Sequence, residues 1–280
     1  MALPTLQELM LRSAEYLTKH GLSNARRETE WIFADTLRMT RMELYTRFDM
    51  PLEDAEVARL RALITRRGKR EPLAYVIGNQ PFCEITLHVG PGVLVPRPET
   101  EELVELILRD PSLPPAPRIL DIGTGSGAIA LAIKHARPAA QVTATDVSPA
   151  ALTIAQNNAQ RLGLVVTFQP GHLATHVSGP FDVVVANLPY IGTDERGDCD
   201  PELAFEPQEA LFSGVDGLEL IRELIPDVRR LLAPQGVAWL EHGWKQAAAI
   251  TQLAQVAGLV SRVVTDGSGK DRFTCLTERP

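Results

Sequence analysis

A short strand that passes through a glycine-rich turn directly into a helix constrains this chain more than any other feature. The apolar run Arg118–Ile122 continues into Gly123-Thr124-Gly125-Ser126-Gly127, and a helical pattern begins at Ala128. Glycines at such a turn let the backbone bend sharply and approach a ligand closely. The segment therefore predicts a parallel α/β sheet with a ligand above the carboxyl end of this strand.

The chain after residue 117 alternates between strand-like and helix-like segments, which predicts a seven-stranded, doubly wound domain. No helix fits between the last two strands, so we expect them to form an antiparallel hairpin. The predicted strands are residues 118–122, 141–145, 165–169, 181–186, 237–241, 259–264 and 273–277. The predicted helices are residues 128–135, 149–162, 217–232 and 245–257.

Two segments of different character precede this α/β domain. Residues 1–73 have helical periodicity, with a first amphipathic helix that Gly21 can end, and they predict a small helical bundle. Residues 74–97 change to short β-rich pieces such as Tyr75-Val76-Ile77, which predict a β-hairpin linker. The α/β domain would then occupy residues 98–280.

Composition disfavours several classes of protein. The net charge is −7, and residues 1–75 hold 13 basic and 11 acidic side chains, so the acidic excess lies in the rest of the chain. That balance disfavours a direct nucleic-acid substrate, which ordinarily needs a basic surface. Three dispersed cysteines and six histidines without ligand spacing predict no disulfide framework and no metal site. Without a signal peptide or a spanning run of about 20 apolar residues, we expect a cytoplasmic protein without a membrane partner.

A basic run stands out within the predicted helical bundle. Between Arg59 and Arg70 the chain has six basic residues and no acidic one. A charge run of this kind is typical of a solvated helix face. It could also form a docking surface for an acidic partner.

The glycine-rich loop predicts a nucleoside-type ligand. The next strand ends in Asp146, 25 residues after Asp121, where a carboxylate can accept both hydroxyls of a ribose. Gly123, Gly125 and Ala128 also satisfy the dinucleotide pattern G-x-G-x-x-G/A, so the loop alone leaves a nicotinamide cofactor open. Asp121 before the first glycine suits the amino-acid end of S-adenosylmethionine, and no recognisable hydride-transfer set follows.

The tetrapeptide Asn187-Leu188-Pro189-Tyr190 favours S-adenosylmethionine most strongly, because it ends a buried strand at the carboxyl edge of the predicted sheet. The Asn187 side-chain oxygen and the Leu188 carbonyl can each accept an N–H, Pro189 fixes the turn, and Tyr190 can stack on a planar group. An NH2 group on a flat sp² carbon fits, which includes a carboxamide, an adenine amine and a cytosine amine. Such nitrogens are poor nucleophiles, so we expect catalysis by orientation through Asn187, Pro189 and Tyr190.

Further blocks of sequence cover nearly the whole chain and carry a family resemblance. The most specific is Val93-Leu94-Val95-Pro96-Arg97-Pro98-Glu99-Thr100-Glu101, just before the α/β domain. The others are Glu71-Pro72-Leu73-Ala74-Tyr75, the loop Asp121-Ile122-Gly123-Thr124-Gly125-Ser126-Gly127, Glu206-Pro207, Ala210-Leu211, Gly214, Asp216-Gly217 and Gly269-Lys270-Asp271-Arg272. With these blocks the chain resembles the protein-(glutamine-N5) methyltransferases that modify class-1 peptide chain release factors, the HemK/PrmC family.

The resemblance implies a doubly wound methyltransferase sheet that binds S-adenosylmethionine and releases S-adenosylhomocysteine. It implies that the N-terminal bundle helps to hold the release factor, whose target glutamine lies in a Gly-Gly-Gln loop. The predicted substrate residues are Asn187, Leu188, Pro189 and Tyr190. The predicted cofactor residues are Asp121, Gly123, Thr124, Gly125, Ser126, Gly127, Asp146, His172 (beside the adenine) and Asn187.

Two departures from the family pattern bear on the site. The family tetrapeptide is usually Asn-Pro-Pro-Tyr, whereas Leu188 resembles the form found in ribosomal RNA adenine dimethyltransferases. Pro170-Gly171-His172 lacks the acidic residue that the family commonly places near the adenine.

We also expect Arg97 and Glu101 either to hold the linker by ion pairs or to contact a ligand directly.

Three hypotheses follow from these patterns. The first is a methyltransferase for release-factor glutamine, which the full-length blocks favour. The second is an adenine-N6 methyltransferase for RNA or DNA, which Leu188 favours. The third is a non-enzymatic nucleoside-binding scaffold.

Overall fold

The structure, a computed structural model, describes residues 3–279. The chain forms two compact units, and it enters the first unit twice. The first unit combines residues 3–79 with residues 200–205, and the second contains Gln80–Cys199 and residues 206–279. Among the described residues no helix has both the length and the apolar character that crossing a membrane requires.

The first unit is a bundle of helices around an apolar core, which confirms the predicted helical bundle. Thr5 and Thr40 begin their helices with capping boxes, in which each threonine bonds the backbone of a glutamate three residues on and that glutamate bonds back. Leu17, Ile32 and Phe33 are fully buried in the core. The helices are α1 (Leu6–Lys19), α2 (Ala25–Leu37), α3 (Arg41–Thr46), α4 (Asp54–Gly68) and α5 (Leu73–Ile77).

The predicted strand piece Tyr75-Val76-Ile77 is wrong, because these residues lie in helix α5. Tyr75 and Val76 are buried, and a short apolar run that is buried on all sides has no periodicity to separate helix from strand. The helix ends at Gly78. The hairpin follows, with β1 at Asn79–Phe82 and β2 at Ile85–His88, and most of the predicted linker belongs to the second unit.

Half of the basic run in α4 and the turn after it is used inside the first unit. Arg66 pairs with Glu71, while the buried Arg67 pairs with both Glu28 and Glu202. Arg70 also pairs with Glu202. The run is therefore not a uniformly solvated face, because three of its members fasten the turn after α4 and the returning segment Asp200–Phe205.

The second unit is built on a seven-stranded sheet in the order β5-β4-β3-β6-β7-β9-β8. All neighbouring strands pair in parallel except β9, which runs antiparallel to both β7 and β8. The strands are β3 (Arg118–Ile122), β4 (Gln141–Asp146), β5 (Thr167–Pro170), β6 (Phe181–Asn187), β7 (Leu232–Glu241), β8 (Leu259–Thr265) and β9 (Asp271–Glu278). The helices are α6 (Pro98–Leu108), α7 (Ala128–Ala136), α8 (Pro149–Leu162), α9 (Glu219–Leu231) and α10 (Ala247–Val256).

These elements confirm the predicted seven-stranded, doubly wound sheet with an antiparallel last strand. The largest difference in length is in β7, which begins at Leu232 rather than at residue 237. The strand order reverses between β3 and β6, because β4 and β5 lie on one side of this pair and β7 on the other. A crevice opens at the carboxyl ends of the strands at such a reversal.

Gly127, at the start of α7, lies where the packing beside this crevice is tight. Its φ is +84°, and a Cβ there would lie 2.9 Å from Leu131 Cδ1 and 3.2 Å from Ala155 Cβ. Gly163 also has a positive φ, of +66°, but nothing lies within 4 Å of a Cβ at that position. Gly163→Ala should therefore cost only the left-handed backbone strain, about 1–2 kcal/mol.

We expect Gly127→Ala to cost that strain plus about 1–3 kcal/mol of overpacking. The free energy of unfolding from urea titrations of the two variants and the parent chain measures the difference. Equal losses in the two variants would show that α7 and α8 move apart freely at this point.

Candidate active site

A cavity of about 310 Å³ lies over the carboxyl ends of β3, β4 and β6. Its wall includes the glycine-rich loop, Asp146 at the end of β4, and Asn187, Leu188 and Pro189 after β6. Residues from Gly92 to Pro96 and from Pro207 to Ala210 close other sides. The strand reversal therefore brings the two sequence motifs to one pocket.

The glycine-rich loop is held by its own backbone and by β4. The amides of Gly123 and Thr124 both donate to the Thr145 carbonyl, at 2.9 Å each, and the Gly127 amide donates to the Thr124 carbonyl at 2.8 Å. A Cβ on Gly123 would lie 3.0 Å from Leu188 Cδ2. The loop therefore packs closely against the tetrapeptide, and a larger residue than glycine would push into it.

Asp121 supports the loop from behind and does not line the cavity. Its Oδ2 accepts from the Thr124 hydroxyl at 2.6 Å and from the Ala130 amide at 3.2 Å. Within the described residues its buried Oδ1 has no hydrogen-bond partner. Burial raises the pKa of Asp121 to about 7, so this carboxyl group titrates near neutrality.

Asp146 lines the cavity with a carboxylate that also organises the backbone. Its Oδ2 accepts from the Gly125 amide and its Oδ1 from the Ser148 amide, at 2.8 Å each. Burial raises its pKa, and the amide hydrogen bonds oppose that shift. Carboxylate oxygens have further lone pairs, so Asp146 can still accept from ligand hydroxyls.

The tetrapeptide is fixed at both ends. Asn187 is the last residue of β6 and pairs in register with Glu241 of β7. Leu188 is buried in the apolar core of the second unit. The Tyr190 carbonyl accepts from Gln246 Nε2 at 2.9 Å.

The Asn187 carboxamide is oriented by a chain of two hydrogen bonds. Its Nδ2 donates to the Thr100 hydroxyl at 3.0 Å, and that hydroxyl donates to Glu241 Oε2 at 2.9 Å. The Asn187 oxygen is consequently the atom of this side chain that is left to accept from a ligand.

The buried Glu241 and the half-buried Tyr190 lie at the end of this series of hydrogen bonds. Tyr190 Oη lies 3.5 Å from Glu241 Oε1. Burial raises the pKa of Glu241 to about 7, and burial together with the Glu241 charge raises the pKa of the Tyr190 phenol. Tyr190 therefore stays neutral, with an aromatic ring that can pack against a ligand.

His172 lies at the rim of the cavity. Its side chain is exposed, and its Nε2 lies 2.9 Å from Glu223 Oε1 on α9. Pro170 is the last residue of β5, and the Gly171 amide donates to the Asp146 carbonyl at 3.0 Å. The turn that carries His172 is thus tied to the strand that ends in Asp146.

Arg97 belongs to an ion pair of the second unit. Its guanidinium lies 2.6 Å from Glu206 Oε1, and the Val95 amide donates to Glu206 Oε2 at 2.9 Å. Glu206 is buried. Arg97 thus fastens the segment before α6, as the first of its two expected roles requires.

Most of the predicted site residues meet at the cavity. Gly123, Thr124, Gly125, Ser126, Asp146, His172, Asn187, Leu188 and Pro189 line it, whereas Asp121, Gly127 and Tyr190 lie behind or beside its wall. Sequence reasoning missed the contributions of Thr100, Glu206 and Glu241. Signals for all three were present, since Thr100 and Glu206 lie in blocks that carry the family resemblance and Glu241 ends a predicted strand at the same sheet edge.

Metal binding finds no support among the residues that the structure describes. Within residues 3–279 no group of three His, Cys, Asp or Glu side chains is arranged to hold an ion. None of Cys83, Cys199 and Cys275 forms a disulfide bond within the part of the chain that the structure describes.

Two family models match separate segments of the chain. The family described as "PrmC N-terminal domain" matches residues 8–78, and the one described as "Methyltransferase small domain" matches residues 99–214. The second match contains the glycine-rich loop, Asp146 and the tetrapeptide.

Curated relatives match nearly the whole length of the chain. A "Release factor glutamine methyltransferase" of Geobacter sulfurreducens is 41% identical over 92% of this chain and 89% of its own. One of Deinococcus radiodurans is 36% identical over 96% of both chains. A crystal structure of a methyltransferase from Pyrococcus furiosus matches the fold with a TM-score of 0.52 and 21% identity, over 68% of this chain and 86% of its own.

Asp121 makes stability depend on pH in a defined direction. An aspartate in an unfolded chain titrates near ~4, so between that pH and about 7 the folded protein binds more protons than the unfolded one. This raised pKa therefore lowers the free energy of unfolding as pH rises through that window. Asp121→Asn removes the effect, because the carboxamide stays neutral.

We compare the free energy of unfolding of Asp121→Asn with that of the parent chain at each pH. The difference, variant minus parent, should be higher at pH 8 than at pH 5 by on the order of 1–3 kcal/mol. Urea titrations at the two pH values measure this, with Asp198→Asn, at an exposed position at the end of the 3-10 helix Thr193–Asp198, as the matched control. A pH-independent difference for Asp121→Asn would contradict the assignment.

Proposed function

This chain belongs to the family of release factor glutamine methyltransferases, and we propose that it methylates the side-chain amide nitrogen of the glutamine in the Gly-Gly-Gln loop of class-1 peptide chain release factors, with S-adenosylmethionine as methyl donor. The modification would support translation termination in the cytoplasm. The observation that carries transfer to an NH2 group is the oriented Asn187 oxygen beside the cavity at the end of β6. The identity to curated release factor glutamine methyltransferases over nearly the whole chain supports glutamine as the target.

The cavity suits S-adenosylmethionine in its chemistry. The Asp146 carboxylate would accept the ribose hydroxyls, and the glycine-rich loop leaves room for close approach of the ligand. Glu209 also lines the cavity, so two carboxylates face a ligand that carries positive charge. His172 at the rim would lie beside the adenine, while Asp121 and Gly127 would act indirectly by shaping the loop.

The tetrapeptide would hold the substrate amide. The Asn187 Oδ1 and the Leu188 carbonyl would accept the two N–H groups of the glutamine nitrogen. Pro189 would restrict the backbone between these acceptors and Tyr190, whose ring would pack on the planar amide. Two acceptors on one NH2 group also determine the direction in which its lone pair points.

Orientation and electrostatics would together produce the catalysis. When bound, S-adenosylmethionine supplies an electrophilic methyl group on a sulfonium centre. The amide nitrogen would gain positive charge as it bonds to the methyl carbon and the carbon–sulfur bond breaks, with S-adenosylhomocysteine as leaving group. Acceptors on the N–H groups would stabilise that charge until one N–H proton is released to solvent. Holding the nitrogen in line with the methyl group would remove the entropy cost of a chance encounter.

Leu188 in place of the usual proline is compatible with this role. The required acceptor is a backbone carbonyl, which leucine also supplies. Its side chain is buried in the core and packs against Gly123. Packing of the leucine would thus replace the rigidity that a second proline gives.

We assign recognition of the release factor in part to the first unit. Its family match covers residues 8–78 and is separate from the methyltransferase match. Arg59, Arg61 and Lys69 remain exposed on α4 and the turn after it, since the other three members of the basic run are used internally. These three side chains are available for an acidic surface of a partner.

Transfer to adenine N6 of RNA or DNA is the second candidate, because Leu188 and the two acceptors would also fit an adenine amine. The acidic balance after residue 75 argues against it, since nucleic acid binding relies on basic contacts to phosphates.

Labelled S-adenosylmethionine distinguishes the candidates. The protein is incubated with a release factor carrying Gly-Gly-Gln, with the same factor carrying Gly-Gly-Ala, and with total RNA and DNA. We expect label only on the Gly-Gly-Gln factor. Equal labelling of the two factors would refute the glutamine assignment, and stronger labelling of nucleic acid would support the adenine candidate.

Asn187→Ala should lower methyl transfer about 100-fold or more, because it removes one acceptor for the developing charge. Binding of S-adenosylmethionine, measured by calorimetry, should change much less. Asn157→Ala, at an exposed position of α8, is the matched control and should leave transfer unaltered. A nucleoside-binding scaffold without activity would show no transfer in any of the three proteins.

Two variants of Tyr190 distinguish the contribution of its ring from that of its hydroxyl group. Its hydroxyl lies as far as 3.5 Å from Glu241, so Tyr190→Phe should keep transfer within about fivefold of the parent rate. Tyr190→Ala removes the packing surface and should lower transfer by about 100-fold through lost positioning. Initial rates at saturating release factor measure both, and a Phe variant as impaired as Ala would assign the role to the hydroxyl.

A further inference from the structure

We propose that Thr100 and Glu241 are positioning residues, which fix the direction of the Asn187 carboxamide so that its oxygen faces the substrate nitrogen. This inference rests on the proposed function of Asn187 and deepens it. It concerns two side chains from other elements, α6 and β7, neither of which belongs to the tetrapeptide.

The three residues converge because of the sheet register and the start of α6. Asn187 and Glu241 are register partners at the ends of β6 and β7. Thr100 lies in the first turn of α6, where its side chain is buried and reaches both of them. Its hydroxyl oxygen lies 3.0 Å from Asn187 Nδ2 and 2.9 Å from Glu241 Oε2.

The donor-to-acceptor direction of these two hydrogen bonds follows from the ionisation state of Glu241, which is the last acceptor. An ionised carboxylate only accepts hydrogen bonds, and a threonine hydroxyl has a single proton to donate. Above the Glu241 pKa of about 7 the carboxylate is ionised and takes the Thr100 proton, so that Thr100 can only accept from Asn187. The NH2 group of Asn187 must turn toward Thr100, which leaves the oxygen toward the cavity.

The reverse orientation would oppose the reaction. It would present a donor to a substrate nitrogen that also carries only N–H donors and gains positive charge. The two ends of an asparagine carboxamide have nearly the same shape, so packing alone selects weakly between the orientations. A hydrogen bond of fixed direction can supply the selection.

The burial of Glu241 is consistent with such a role. The residue is 1% exposed, its oxygens lie 2.9 Å from the Thr100 hydroxyl and 3.5 Å from the Tyr190 hydroxyl, and the charge of Arg272 opposes the rise in its pKa that burial causes. A buried carboxylate contributes little to stability compared with an apolar residue of similar size. Its value to the molecule is then the acceptor that it directs at Thr100.

The first test uses Thr100, with a conservative rescue. Thr100→Val keeps the shape but removes the hydroxyl, and it should lower kcat for release-factor methylation about 10- to 100-fold, with a smaller change in KM for S-adenosylmethionine. Thr100→Ser restores the hydroxyl and should stay within about threefold of the parent kcat. Equal rates for the Val and Ser variants, with matched thermal stability, would overturn the proposal.

The second test uses a double-mutant cycle. Asn187→Asp places an acceptor opposite Thr100, whose single proton then has two carboxylates competing for it. Glu241→Gln alone can keep its oxygen toward Thr100 and should be only mildly impaired. In the double variant, the NH2 group introduced by Glu241→Gln can donate to the Thr100 hydroxyl. That hydroxyl can then donate to the carboxylate introduced by Asn187→Asp.

The double variant should therefore be at least about tenfold more active than Asn187→Asp alone, a coupling typical of residues in one network. Independent structural roles predict instead that the two losses add. A double variant no better than Asn187→Asp would contradict the network.

A third measurement does not depend on the substrate. The side-chain NH2 of Asn187, assigned by NMR in the free protein by its loss in Asn187→Ala, should show slowed hydrogen exchange. Thr100→Val should speed this exchange, and Thr100→Ser should preserve it. Such a result with no methylation of release factor by the parent protein would leave the network standing and reject only the proposed function, whereas equal exchange in the Val and Ser variants would reject the network.

Discussion

The parallel pairing of β6 between β3 and β7 is the constraint on which the rest of the site depends. This pairing brings the carboxyl ends of three strands to one edge of the sheet, and the reversal of strand order opens a crevice there. The glycine-rich loop leaves β3, Asn187 ends β6 and Glu241 ends β7. A change of register by one residue would turn Asn187 to the other face of the sheet and separate it from Thr100.

Three buried carboxyl groups hold the surroundings of the crevice in place. Asp121 bonds the loop and the first turn of α7, Glu206 bonds the segment before α6, and Glu241 bonds Thr100 in α6. Each side chain thus joins pieces of chain that are distant in sequence or that would otherwise be free to turn. Burial of a charged group is costly, and these hydrogen bonds offset part of that cost. The result is a rigid wall on which loop residues can act as a binding surface.

The sequence was sufficient for those parts of the molecule that local pattern determines. The alternation of strand-like and helix-like segments identified all seven strands of the sheet, and it placed both motifs at the carboxyl edge where the cavity lies. The segment Tyr75-Val76-Ile77 failed because a short buried run has the same apolar character in a helix and in a strand. The contributions of Glu206 and Glu241 were missed for another reason, since each depends on a partner more than 100 residues away. Similarly, no local pattern indicates that Asp200–Phe205 returns to the first unit.

In the tetrapeptide too, the sequence determines the residue types, but distant partners determine how those residues act. Asparagine can present either a donor or an acceptor, and its identity alone does not determine which. The hydroxyl of Thr100 and the carboxylate of Glu241 supply that polarity from outside the motif. An acceptor pair selects an NH2 group but does not separate a glutamine amide from an adenine amine, because both carry two N–H bonds on a flat group. Discrimination between them must therefore come from surfaces that contact the molecule bearing the NH2 group. For a site of this kind, the chemistry of the reaction resides in the strand ends, and the choice of substrate resides in the parts of the chain around them.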